Sequence, residues 1–134
     1  LQTLAVRLDV LEKSSLKVAH WLREHPLVNR VLHPALTSCP GHDIWARDFT
    51  GSTSVFSLVF KNHISAEQVI NFINNLRIFR IGMSWGGVNS LAVVYPDLIR
   101  PGQDFAGRIV RLNIGLETVD DLISDLEQAL KKIA

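Results

Sequence analysis

The stretch that most constrains this 134-residue chain is 108–114, RIVRLNI, where side chains alternate between two unlike faces. Val110, Leu112 and Ile114 point one way and Ile109, Arg111 and Asn113 the other, the period of two that marks a strand. One face demands a core. The other presents Arg111 from the middle of a rigid element, where its planar, five-donor guanidinium suits a bidentate grip on a carboxylate. Residue type alone favours a plainer alternative, a solvated arginine on an open sheet face. Gly115 ends the strand, and Thr118 with Asp121 stands at capping-box spacing. A helix should follow, with an apolar stripe of Val119, Leu122, Ile123, Leu126, Leu130 and Ile133. Asp120 and Asp121 sit at its positive end, Lys131 and Lys132 at its negative end.

Residues 1–25 contain no proline or glycine and place Leu4, Leu8, Leu11, Val18 and Leu22 at helical spacing, with Ser15 the one small polar member of the stripe. They read as one long helix stopped by Pro26. A short strand at 28–32 precedes a loop at 33–51 that holds one helical turn around Trp45. SVFSLVF, 54–60, reads as a central strand. Ser65 caps a helix to about residue 76, with Glu67 in its first turn and Val69, Ile70, Phe72 and Ile73 on its buried side. Short strands near 78–83 and 91–95 flank Gly86 and Gly87. Few of these strands are joined by helical crossovers. The expected fold is therefore α+β, a two-layer sandwich whose mostly antiparallel sheet of four to five strands carries helices on one face. The second face, with Ile109, Arg111 and Asn113, then needs a partner surface or a ligand.

A chain of this length, 47% hydrophobic, supports one domain over 1–134. Its formal net charge of +1 offers no basic stripe to nucleic acid, and no apolar run approaches the roughly 18–20 residues that span a bilayer. The single cysteine, Cys39, forms no internal disulfide, which suits the cytoplasm. Met83 is the only methionine, and Leu1 enters a helical pattern at once, so the sequence reads as a fragment of a longer protein.

Two short motifs invite chemistry. Ser84–Gly87, SWGG, combines a hydroxyl, a stacking ring and two glycines that let backbone N–H groups approach a ligand, although a plain glycine turn explains it as well. Cys39 and His42 have Cys-x-x-His spacing with His33 nearby. A structural zinc wants four ligands, and no second pair stands at matching spacing, so no metal is expected. The five histidines, His20, His25, His33, His42 and His63, fall in helix ends and loops where a surface role is the default. Asp9, Glu12 and the acidic residues of 117–121 read as solvated helix faces, and no nucleophile or general base is legible.

Taken together, SSLKVAHWLREHPLVNRVLHPAL, GHDIWARDFTGSTSVFSLVFK, SWGGVNSL and RLNIGLETVDDLISDLEQAL resemble the C-terminal domain of the pyridoxal-phosphate enzymes of cysteine and methionine metabolism. Coverage is essentially the whole chain. Ser84 followed by tryptophan resembles the cystathionine β-lyase branch, since relatives that make cystathionine or cleave it on the γ side commonly carry leucine there. The resemblance implies a small C-terminal domain, with residues 1–25 leading in from a large cofactor domain, in a homo-oligomeric cytoplasmic carbon–sulfur lyase of methionine biosynthesis. It implies that Arg111 binds the substrate α-carboxylate with help from the Trp85 N–H, and that Ser84 positions the cofactor lysine. Met83, where the family often has tyrosine or glutamate, becomes a specificity position, and Asn89 departs from the usual glutamate. Cystathionine is the implied substrate and pyridoxal phosphate the implied cofactor, bound by the parent enzyme and not by this fragment. None of Lys13, Lys17, Lys61, Lys131 and Lys132 stands where the family places its Schiff-base lysine. The alternative from another class is a free-standing α+β module for small carboxylates or for oligomerisation.

Overall fold

A computed structural model describes residues 2–134. Helix α1 spans Leu4–Arg23, and the expected helical start at Leu1 lies outside the described residues. The chain continues through β1 Val28–Leu32, α2 His42–Asp48, β2 Val55–Phe60, α3 Ala66–Asn74, β3 Arg80–Ile81, β4 Leu91–Val94, β5 Ile99–Arg100, β6 Gln103–Asp104, β7 Ile109–Asn113 and α4 Val119–Leu130. Five strands form one sheet in the order β1-β2-β7-β4-β3, antiparallel except for the β3–β4 pair. The α+β sandwich read from the sequence is the fold observed, with β7 at the centre of the sheet.

The alternation in β7 sorts the two layers. Val110 and Leu112 share a face with Phe56 and Leu58 of β2 and with Ala92 and Val94 of β4, and that face packs against α1, α3 and α4. Phe60 meets Phe72 of α3 edge-on at 5.4 Å between ring centroids, a favourable quadrupole geometry. From α4, Leu122, Leu126, Ala129 and Leu130 close the core. Only the C-terminal half of the α1 stripe is buried, from Leu11 through Ser15 and Val18 to Leu22, while Leu4 and Leu8 stay exposed.

The second sheet face departs from expectation. Residues 96–107, which carry no hydrophobic period, fold back as the β5–β6 hairpin and set Phe105 against Val59 and Ile109, with Leu32, Tyr95 and Leu98 around them. The chain thus covers one end of that face itself and leaves the end with Arg111 accessible. Helix ends also differ. Ser65 forms a reciprocal capping box with Gln68, whereas Thr118 makes no side-chain cap and the Asp121 N–H bonds the Thr118 carbonyl instead. Aspartate is one methylene shorter than the glutamate or glutamine that such a box uses.

Two buried polar groups tie elements together. Asp125, 4% exposed on the core side of α4, accepts the N–H groups of Arg77 (2.9 Å), Ile78 (2.8 Å) and Phe79 (3.2 Å), and so aims the chain from α3 into β3. His33, expected at the surface, is wholly buried after β1. Its Nδ1 accepts the Ala35 N–H at 3.2 Å, which assigns the ring proton to Nε2, 3.3 Å from Ser15 Oγ. Burial, aided by repulsion from His20, lowers the His33 pKa below 6.5.

Asp125→Ala should leave three N–H groups without partners and cost about 2–4 kcal/mol in denaturant unfolding, with Asp125→Asn intermediate. For His33 the depressed folded-state pKa means that the unfolded chain takes up its proton first. Stability is therefore full above about pH 6.5 and declines as pH falls below it, a decline that His33→Gln should reduce in unfolding curves recorded across pH 5–8.

Candidate functional site

Because β3 and β4 run parallel, the chain between them must return to the end of the sheet from which it came. Residues 82–90 make that return as a loop, SWGG included, and two side chains of β7 hold it. Arg111 donates from Nη2 to the carbonyls of Met83 at 2.6 Å and Ser84 at 3.3 Å. Asn113, two residues on and hence on the same face, accepts the Gly86 N–H at 2.8 Å and donates to the Asn89 carbonyl at 3.0 Å. The motif and the arginine are therefore one site.

Arg111 stands between Ser57 of β2 and Val93 of β4, with its guanidinium carbon 5.8 Å from the centre of the Tyr95 ring. A cavity of about 360 Å³ opens beside it, lined by Ser57, Tyr95, Leu98, Arg100, Phe105 and Ile109 among others. The arginine is half-buried against the loop. Its Nη2 is spent on backbone oxygens. Met83 and Trp85 are both 66% exposed, so that each leaves its side chain in solvent while its backbone builds the loop. With the Ser84–Trp85 peptide trans, the Trp85 N–H points opposite to the Ser84 carbonyl and hence away from the guanidinium.

Glutamate anchors the far end of the loop. Glu117 accepts the Ser90 N–H and hydroxyl, each at 2.8 Å, and the Ser90 Oγ accepts the Gly115 N–H at 2.8 Å. Glu12 of α1 likewise accepts the Ser52 N–H at 2.7 Å. Both had read as solvated acids, and both are latches, because their partners are backbone groups that no residue letter reveals. The Cys39–His42–His33 trio does not converge. His33 faces Ser15, the Nδ1 of His42 lies 2.8 Å from the Pro34 carbonyl, and burial pushes the Cys39 thiol up in pKa. Among the described residues no three His, Cys, Asp or Glu side chains stand close enough to share a metal, and no helix is long and apolar enough to cross a membrane.

Comparison with known proteins matches residues 1–131 to the family described as Cys/Met metabolism PLP-dependent enzyme. The chain is similar to the cystathionine β-lyase of Escherichia coli, 50% identical over 139 residues that cover 99% of this chain and 35% of that protein. It is 46% identical to the cystathionine β-lyase of Salmonella typhimurium over the same shares. Its fold matches a crystal structure described as an O-acetylhomoserine (thiol)-lyase from Campylobacter jejuni, which holds the cofactor as a pyridoxyl-lysine. The TM-score is 0.81 at 29% identity, over 96% of this chain and 29% of that one. The chain therefore spans about a third of the length of the curated relatives it matches.

Gly115 offers a test of the loop geometry. A Cβ there would run into the Val88 carbonyl, the Ser90 N–H and the Glu117 carboxylate. Gly115→Ala should cost about 1–3 kcal/mol and displace the loop, read as a lowered thermal midpoint together with increased proteolysis within residues 82–90.

Proposed function

The chain belongs to the family of pyridoxal-phosphate-dependent enzymes of cysteine and methionine metabolism, and on that premise we propose that it forms the substrate-carboxylate-binding part of a carbon–sulfur lyase. In this reading it is the small C-terminal domain, and the parent enzyme cleaves cystathionine to homocysteine, pyruvate and ammonia. The supporting observation is the placement of Arg111, on the central strand, against the SWGG loop and open to the cavity beside Tyr95.

The guanidinium geometry says how a carboxylate would enter. A guanidinium grips two oxygens either through Nη1 with Nη2 or through Nε with Nη2, so both forks use the nitrogen now bonded to Met83 and Ser84. A substrate carboxylate gripped through Nη2 competes with the Met83 and Ser84 carbonyls for its two hydrogens. Turning the Ser84–Trp85 peptide, through ψ of Ser84 and φ of Trp85, brings the Trp85 N–H toward the carboxylate. Met83, exposed at the start of the loop, is the position we assign to sensing the sulfur-bearing arm of the substrate.

The residues present do not fit the cofactor itself. No lysine lines the cavity beside Arg111. Lys13, Lys17 and Lys131 pair with Asp9, Asp120 and Glu127, Lys132 donates to Asn75, and Lys61 follows β2 at the other end of the sheet. The aldehyde-binding lysine and the phosphate ligands belong, in this proposal, to the rest of the protein, and Ser84 is the residue of this chain that would neighbour that lysine.

The test is steady-state kinetics on the full-length protein. Arg111→Ala should lose about 2–5 kcal/mol of transition-state stabilisation, a fall of roughly 30- to 3,000-fold in kcat/KM for cystathionine. Arg111→Lys should recover only part of it, keeping the charge but not the planar fork. The thermal midpoint should move little in either variant. Unchanged kinetics in the alanine variant would overturn the assignment.

A further inference from the structure

We infer that Asn113 is a positioning residue, holding the SWGG loop in the register that lets Arg111 and the loop backbone act on one carboxylate; the inference rests on the reading of Arg111 above. Asn113 is 1% exposed, and three of its hydrogen-bonding positions are filled. Its Oδ1 accepts from Ser54 Oγ and from the Gly86 N–H, each at 2.8 Å, and its Nδ2 donates to the Asn89 carbonyl at 3.0 Å. The assignment of oxygen and nitrogen is unambiguous, since an N–H can only donate and a carbonyl only accept. A buried amide satisfied in this way resists displacement, because moving it strands several polar groups at once.

The position of these bonds gives the role. Asn113 holds Gly86, the first of the glycine pair, and Asn89 on one side of Trp85, while Arg111 holds the Met83 and Ser84 carbonyls on the other. Residue 85 lies between the two grips. When a carboxylate displaces the carbonyls from Arg111, the Asn113 bonds remain and become the fixed end about which the Ser84–Trp85 peptide turns. The same strand thus supplies a grip that the ligand exchanges and a grip that it does not. Without Asn113 the loop would leave the site once its carbonyls were displaced, and the Trp85 N–H would no longer be delivered to the ligand.

The experiment uses the full-length protein with three variants, Asn113→Ala, Asn113→Ser and Ser54→Ala. Asn113→Ala should raise KM for cystathionine about 10- to 100-fold with a smaller change in kcat. Inhibition by a thioether amine that lacks the α-carboxylate should be unchanged. Asn113→Ser, too short to reach Gly86 and Asn89 but keeping a hydroxyl in the buried site, should behave in the same way and serves if the alanine chain does not fold. Ser54→Ala removes a buried partner of Asn113 while leaving both loop bonds, so it should lower the thermal midpoint without raising KM. If Ser54→Ala raises KM as much as Asn113→Ala, or if the carboxylate-free amine is weakened equally, Asn113 is merely structural and the inference fails. Impairment by Arg111→Ala with normal kinetics in Asn113→Ala would likewise sink this inference alone, whereas normal kinetics in Arg111→Ala would remove the reading on which it rests.

Discussion

Strand β7 is hydrogen-bonded on both edges, to β2 along Val55–Val59 and to β4 along Leu91–Val94, and the rest of the structure depends on that double pairing. A slip of one residue on either side would turn Val110 and Leu112 away from the helices and drive Arg111 into the core. Burial of the apolar set therefore fixes where the polar set stands. Arg111 and Asn113 reach the return loop because Val110 and Leu112 are fully buried beneath the helices. The packing of the core and the hold on the return loop are two faces of one five-residue element.

Buried polar groups do the complementary work of placing irregular chain on this regular frame. Asp125 gathers three successive N–H groups where α3 gives way to β3, and Glu117 with Ser90 and Gly115 binds the end of the return loop to the start of α4. None of these contacts is an ion pair. Each matches a carboxylate to backbone donors that would otherwise be stranded away from water, an arrangement whose loss costs more than its formation gains. The exposed pairs, such as Lys17 with Asp120, hold far less, because solvent and salt screen them.

What the sequence disclosed follows the same division. Periodicity found β7, α1 and α4, and β-branched and aromatic content found β2, since alternation, helical spacing and residue type are written in residue letters. The β5–β6 hairpin escaped because residues 96–107, with Pro96, Pro101, Gly102 and Gly107, have no period to read. Asp125 and Glu117 escaped for another reason, as their partners are N–H groups up to 48 residues away, and every residue but proline carries one. Arg111 was singled out from residue type and family resemblance. Its actual partners, two carbonyl oxygens of the loop, have no letters at all. His33 was misplaced because a histidine after a short strand looks like a loop residue until Ser15, 18 positions earlier, is seen beside it.

For the carboxylate-binding role proposed for Arg111, engagement with the loop is no handicap. An arginine free in water would lose several rotatable bonds' worth of entropy on capture, whereas one parked on two carbonyls over the Tyr95 ring is already planar to its target and aimed. The exchange is also selective. A guanidinium bond to a neutral carbonyl is already charge-assisted, and a carboxylate adds the attraction of opposite full charges and the second oxygen of a bidentate pair, so an anionic two-oxygen ligand competes with the loop to a net gain. A neutral amide or a single carbonyl trades like for like and gains nothing. In the proposed role, selectivity for an anionic, two-oxygen group would arise from the competitor that the chain supplies to its own arginine, as well as from the charge of the arginine itself.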